Sequence, residues 1–144
     1  MADQPGMIAA RPLPQPDEWS KGFWEGCKAG RLEMQRCKSC RRLRFYPRPM
    51  CPRCHSLEWE YVPVSGRGTI YSWIVVHPPV MPAFKDKAPF AVVLVELEDD
   101  PEIRMVGNLL DCALDAITFG MPVEVTFETV AEDVRLPQWK PTRR

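Results

Sequence analysis

The chain has 144 residues, with 19 Lys or Arg against 19 Asp or Glu, so its formal net charge is zero; 45% of its residues are hydrophobic and 26% charged. This is the composition of a soluble globular chain with enough length for one core or two very small ones. No apolar run approaches the roughly 18 residues of a membrane span, and the start MADQPGMIAARPLPQP lacks the charged-then-apolar order of a secretory signal, so a cytoplasmic location is expected.

In chain order, residues 1–16 hold Pro5, Pro12, Pro14 and Pro16 with little apolar periodicity, which predicts an irregular or extended arm. From Asp17 the pattern changes. Trp19, Phe23 and Cys27 recur every fourth residue beside Trp24, with Asp17 placed to cap and Gly30 to stop a short amphipathic helix. Gly22 and Gly26 each cost such a helix about 1 kcal/mol relative to Ala, so it needs a surface to pack on. That surface is either the chain's own core or a partner.

Next comes CKSCRRLRFYPRPMCPRC, Cys37 to Cys54. Cys37 and Cys40 are separated by two residues, Cys51 and Cys54 likewise, and ten residues lie between the pairs. Each CxxC bends into a knuckle, and two knuckles complete a tetrahedral four-thiolate shell. With no open position, the metal braces the fold and does no chemistry. Zinc is the expected occupant; the same sulfur shell accepts iron. In the positions after the knuckles, where glycine relieves strain, stand Arg41 and His55. Cys27 and Cys112 fall outside the spacing and read as small buried or half-buried thiols. Neither of the two histidines, His55 and His77, is placed by sequence beside them, so no catalytic pairing is expected.

Beyond the knuckles the period becomes two. Residues 58–64, 69–76, 90–98, 103–109 and 123–130 are rich in β-branched and aromatic side chains and are punctuated by Gly and Pro. Between the second and third strands, HPPVMPAFKDKAP (77–89) predicts a mobile binding loop, and residues 111–122 predict a helical turn before the last strand. The order points to a mainly β chain: an N-terminal helical segment over 1–35, a rubredoxin-like ribbon over 36–62, and a five-stranded OB barrel with a C-terminal tail over 63–144.

Charge is unevenly spread. Residues 28–53 carry nine basic residues against one acid, Glu33, and the remainder is correspondingly acidic. A basic segment on an acidic barrel suits a localised anion or an acidic partner surface, or is simply a solvated face. It suits a long nucleic acid poorly, because the barrel repels the phosphate backbone.

The runs GRLEMQRCKSC, FYPRPMCPRCHS, VPVSGRGTIYSWIVVH, PFAVVLVELED, GNLLDC, GMPVEVTFE and LPQWKP, taken together and in this order, closely resemble a family of zinc-ribbon and OB-fold proteins long catalogued as a domain of unknown function. The likeness extends from about Asp17 to Pro141; Arg41 stands where that family usually has glycine. It implies a noncatalytic accessory subunit of a thiolase or retro-aldolase acting on 3-oxoacyl- or 3-hydroxyacyl-CoA with a bulky acyl group, or, less in keeping with a lone ribbon and barrel, of a MaoC-like hydratase. The catalytic residues then sit on the partner, and this chain stabilises it and helps enclose acyl-CoA. Arg41, Arg42, Arg44 and Arg48 are the candidates for CoA-phosphate or partner contacts. Trp19, Phe23, Trp24 and Trp139 are the candidate interface anchors. The competing reading from another class is a nucleic-acid-binding ribbon and OB protein.

Overall fold

A computed structural model describes residues 11–142. At its start, Ser20 donates its amide to Asp17 Oδ1 at 2.8 Å and the Asp17 amide donates to Ser20 Oγ at 2.9 Å. This reciprocal pair is a capping box in which Asp17 caps the turn, as the sequence placed it, and helix α1 follows over Lys21–Lys28. Gly30, at φ +76°, ends it, while the Arg31 amide reaches back to the Gly26 carbonyl at 2.8 Å. The helix buries Phe23, Gly26 and Cys27. Gly22, a cost by propensity, is a contact point: a Cβ there would overlap the Tyr61 ring.

The ribbon is a three-stranded antiparallel sheet in which β1 (Glu33–Cys37) lies between β2 (Leu43–Arg44) and β3 (Trp59–Pro63). Its register sets Gln35 opposite both Arg44 and Tyr61.

The second sheet has the order β6-β5-β4-β7-β8, built from β4 (Arg67–Val76), β5 (Phe90–Leu97), β6 (Arg104–Asn108), β7 (Pro122–Ala131) and β8 (Val134–Pro141). Burial alternates residue by residue along β5, with Ala91, Val93, Val95 and Leu97 inward, as period two requires. A bulge between Ile70 and Ser72 bends β4. The sheet closes on itself where Leu109 meets Trp139 in a parallel bridge and the Leu110 amide donates to the Trp139 carbonyl at 2.7 Å. Five strands closed in this way form the expected OB barrel, but its membership differs from the sequence reading. The predicted strand over 58–64 belongs to the ribbon, and the supposed C-terminal tail is the fifth barrel strand. Prolines disguised it. The Thr142 amide donates to the Pro122 carbonyl, so along β8 the residues that bond to β7 are the even-numbered ones; Pro137 and Pro141 turn their missing N–H to the other edge, where nothing is lost.

One core runs through everything. Phe23 and Cys27 of α1, Leu32 and Met34 at the start of the ribbon, and Ile70, Val93, Val95, Met105, Val123 and Trp139 of the barrel form a single buried cluster. Gly107 on β6 permits this at the seam, since a Cβ there would lie 2.8 Å from Trp139 Cδ1. The 77–89 loop contains one 3-10 turn, Pro82–Phe84, with Phe84 resting against Phe90 and Lys87 paired with Glu128 at 3.3 Å. The segment before β7 contains the expected turn as a 3-10 element, Leu114–Ala116. Among the described residues no helix is long and apolar enough to cross a membrane.

Candidate metal centre and the surfaces around it

The two knuckles are built alike. The Arg41 amide donates to the Cys37 carbonyl and the His55 amide to the Cys51 carbonyl, each at 3.0 Å, while Cys37 and Cys51 donate their own amides to Arg42 and Ser56 at 2.9 Å. Closing each loop this tightly forces the residue after the second cysteine into the left-handed region: Arg41 sits at φ +67° and His55 at +62°. These are the two positions that the sequence singled out for lacking glycine.

The result gathers all four sulfurs within 4.8 Å of one another, with Cys37 Sγ 3.5 Å from Cys54 Sγ and Cys40 Sγ 3.6 Å from Cys51 Sγ. A tetrahedron of Zn–S bonds near 2.3 Å has sulfur edges of about 3.8 Å. The spacing therefore fits zinc, and Cys37, Cys40, Cys51 and Cys54 are the residues that would hold it. Local electrostatics already favour thiolates at two of them. The Cys40 amide draws Cys37 down to about 6, and the amides of Cys54 and Arg53 lower Cys51. At Cys54 the Ser56 amide also favours the thiolate, but the neighbouring sulfurs outweigh it and push this thiol up to about 11. Bound zinc supplies charge and a fixed geometry, and with four protein ligands it leaves no position for a substrate.

Around the centre the arginines divide. Arg36 and Arg41 both converge on Glu60 Oε1, at 2.7 and 3.3 Å, and Arg36 foremost holds the Glu60 carboxyl below its ordinary range. Arg42 and Arg53 both reach Glu102 on the β5–β6 turn, at 3.7 and 3.6 Å. Arg44 is different: only 8% exposed, it donates Nε to Gln35 Oε1 at 2.8 Å and Nη2 to the Arg48 carbonyl at 3.0 Å. Gln35, fully buried on β1, also receives the Arg48 amide at 2.8 Å and donates Nε2 to the Arg48 carbonyl at 2.9 Å. This knot fixes the inter-knuckle loop, which presents exposed Tyr46, Arg48 and Met50. Arg53 and Gln35 escaped sequence reasoning. Arg53 lay inside a knuckle taken only as a metal loop, and a glutamine in a strand reads as outward-facing.

Two of the four expected anchors are corrected. Trp139 has no exposed surface and Phe23 is 4% exposed; both fill the core, Trp139 at the barrel seam and Phe23 where α1 meets the Phe45 ring at 5.4 Å. Neither can reach a partner. Trp19 and Trp24 are half-buried. The Trp19 carbonyl receives the Tyr61 hydroxyl, and Trp24 packs edge-on to Phe23. Trp24 borders an apolar groove of about 430 Å³, whose walls include Tyr46 and Pro47 of the ribbon, Val106 of β6 and Leu136 and Pro137 of β8. The barrel offers nucleic acid little: Arg104, stacked over Tyr71 at 3.8 Å, is paired with Glu96, and Arg67 with Glu98.

Comparison with known proteins agrees with this geometry. Residues 24–60 match the family description "ChsH2, rubredoxin-like zinc ribbon domain" and residues 61–128 match "ChsH2, C-terminal OB-fold domain". The structure called Ltp2-ChsH2(DUF35) aldolase superposes with a TM-score of 0.81 at 39% identity, over 89% of this chain and 98% of that one. A DUF35 domain-containing scaffold protein of Methanocaldococcus jannaschii is 37% identical, covering 68% of each chain. The benzoylsuccinyl-CoA thiolase subunit BbsA of Thauera aromatica is 44% identical over 74% of this chain and 69% of its own. A probable enoyl-CoA hydratase alpha subunit of Thermomonospora curvata is 40% identical over 92% of this chain, which spans only 40% of that relative's length. The chain, a zinc ribbon followed by an OB barrel on one continuous core, belongs to the ChsH2-type DUF35 family.

Proposed function

We propose that this chain is a noncatalytic accessory subunit of a thiolase- or aldolase-type enzyme that cleaves 3-oxoacyl- or 3-hydroxyacyl-CoA, stabilising its catalytic partner and helping to enclose the acyl-CoA. The observation that carries the reading is the likeness to the Ltp2-ChsH2(DUF35) aldolase over almost the whole of both chains; the thiolase-subunit and scaffold names of two relatives point the same way. Three physical features support it. Among the described residues, the one cluster of metal-ligating side chains is a four-thiolate shell suited to a bracing role. An apolar groove bordered by half-buried Trp24 and exposed Tyr46 has the aromatic make-up of an interface core. Arg48, exposed and without a carboxylate partner among the described residues, stands beside it on a loop that the Gln35 knot holds in place.

The test is to isolate the tagged chain from its host, identify the protein recovered in near-equal amount, and assay that protein for acyl-CoA cleavage with and without this chain. Recovery of a thiolase-like subunit whose activity or solubility depends on this chain is the expected result. Recovery alone, or with nucleic acid released by high salt, overturns it.

A further inference from the structure

The 77–89 loop leaves the barrel between β4 and β5 and is fastened back onto it through Glu128 of β7. One carboxylate oxygen of Glu128, Oε1, accepts Arg11 Nη1 at 2.6 Å and Lys87 Nζ at 3.3 Å, and Oε2 accepts Gln138 Nε2 at 3.2 Å. The Arg11 guanidinium also lies over the Phe84 ring, 5.5 Å from its centre, and Phe84 in turn rests 6.0 Å from Phe90. Loop and barrel together wall a pocket of about 360 Å³, with Phe84, Phe90, Leu109 and Leu110 as its apolar surface and Arg11, Lys87 and Glu128 as its charged lining.

The chemistry of this lining selects its ligand. Two aromatic faces and two leucines favour an apolar body, and the volume falls at the lower end of sites for small organic molecules. The charges do not balance: two cations share one carboxylate. Arg11 carries five N–H donors in a fork that matches a two-oxygen acceptor, and among the described residues it spends one of them, on Glu128. Its side chain is only 17% exposed, so water serves the remaining donors in part. We infer that this pocket binds a small organic monocarboxylate with an aromatic or branched apolar body, the body against Phe84 and Phe90 and the carboxylate on Arg11 and Lys87. Such a ligand brings the single negative charge that the lining lacks and takes its own apolar surface out of water. Joining the loop to the barrel at a second point, it also steadies the loop. Every residue involved belongs to this chain, so the inference stands apart from the accessory-subunit reading.

The test titrates the zinc-loaded full chain with phenylacetate and, separately, with its neutral counterpart phenylacetamide and with acetate, at about 0.15 M ionic strength, by calorimetry and amide chemical shifts. Saturable one-site binding of phenylacetate with a Kd below about 1 mM is expected, with both comparison compounds at least about tenfold weaker. The shifts should centre on Phe84, Phe90, Leu109 and Leu110. Hydrogen exchange at the Lys87 and Ala88 amides, which donate to the Phe84 carbonyl at 3.0 and 3.2 Å, should slow at least about threefold. Arg11→Gln and Phe84→Ala should each weaken binding at least about tenfold. Lys87→Gln changes a side chain that is 50% exposed, so folding is preserved, and should weaken binding about threefold or more, whereas Arg67→Gln, which does not line this pocket, should match the parent. Phenylacetamide bound as tightly as phenylacetate, shifts centred on the Trp24 groove, unchanged affinity in Lys87→Gln, or absence of saturation up to about ten times that concentration overturns the inference.

Discussion

Replacing Gln35 by methionine preserves the volume of the side chain and removes the centre of the polar knot. Three hydrogen bonds vanish: those from Arg44 Nε and the Arg48 amide to Oε1, and that from Nε2 to the Arg48 carbonyl. The carbonyl keeps Arg44 Nη2, but two donors are stranded, one of them on a buried cation whose Nη1 is already unmatched. At about 1–3 kcal/mol for each stranded donor, with the charged one at the upper end, the cost is roughly 3–5 kcal/mol. For a chain of this length that is on the order of 10 °C in Tm. The assay is urea and thermal unfolding of zinc-loaded protein at fixed free zinc, with metal content checked to be equal. The companion variant Gln35→Met/Arg44→Met removes donor and acceptor together. It should cost at least about 1 kcal/mol less than the sum of the two single changes. A loss below about 1 kcal/mol for Gln35→Met, or strict additivity in the cycle, would refute the claim that this knot holds the inter-knuckle loop.

Three further outcomes are expected. Purified protein should carry one zinc per chain and be colourless; a chelator strong enough to strip it, or Cys51→Ser, should disorder the ribbon and shift the fluorescence of Trp59, the register partner of Cys37. Native-like amide spectra after complete metal removal would contradict a bracing role. Cys27, buried on α1, has its thiol pushed up to about 12 by burial, from an ordinary value of 9.0. Between those values the unfolded chain has lost a proton that the folded chain keeps, so stability falls as pH rises from 9 towards 12, by about 1.4 kcal/mol for each pH unit well inside the window. The stability difference between the parent and Cys27→Ala should therefore shrink from pH 9 to pH 10.5 in urea titrations, and a constant difference would exclude this origin. Lastly, if the proposed partner docks on the groove, Trp24→Ala should weaken its capture at least about tenfold while lowering stability less than Trp139→Ala, which should cost about 3–5 kcal/mol; the reverse pattern would exchange their roles.

The parts of this molecule legible in its sequence are those governed by short-range rules. Paired CxxC spacing announces a metal shell without knowledge of the fold, and the run of valines and other apolar residues in Phe90–Leu97, bounded by Pro89 and the acidic turn after it, reads as a strand from its β-branched content. What stayed hidden depends on which face a residue finally turns inward. Val134–Pro141 looks like a tail because Pro137 and Pro141 argue against a strand, and only the pairing with β7 shows that their missing donors fall on the harmless edge. Phe23 and Trp139 have the composition of anchors, yet an aromatic ring fills a core as readily as a partner's pocket, and nothing local distinguishes the two. Gln35, Arg44 and Arg53 are close in sequence to the recognised cysteines, but their roles arise from contacts with Arg48 and with Glu102 on the β5–β6 turn.

The single buried cluster shared by helix, ribbon and barrel has a consequence for anyone who would graft these pieces elsewhere. A barrel excised at the start of β4 would leave behind Phe23, Cys27, Leu32 and Met34, and with them one wall of its own interior. A ribbon cut free would carry those apolar faces into water. Each half would be sticky rather than inert. Inheritance has the same constraint as the bench: recombination between relatives can exchange the 77–89 loop cheaply, but a crossover between knuckles and barrel must bring matching interior side chains from both parents, so the two halves are expected to travel together.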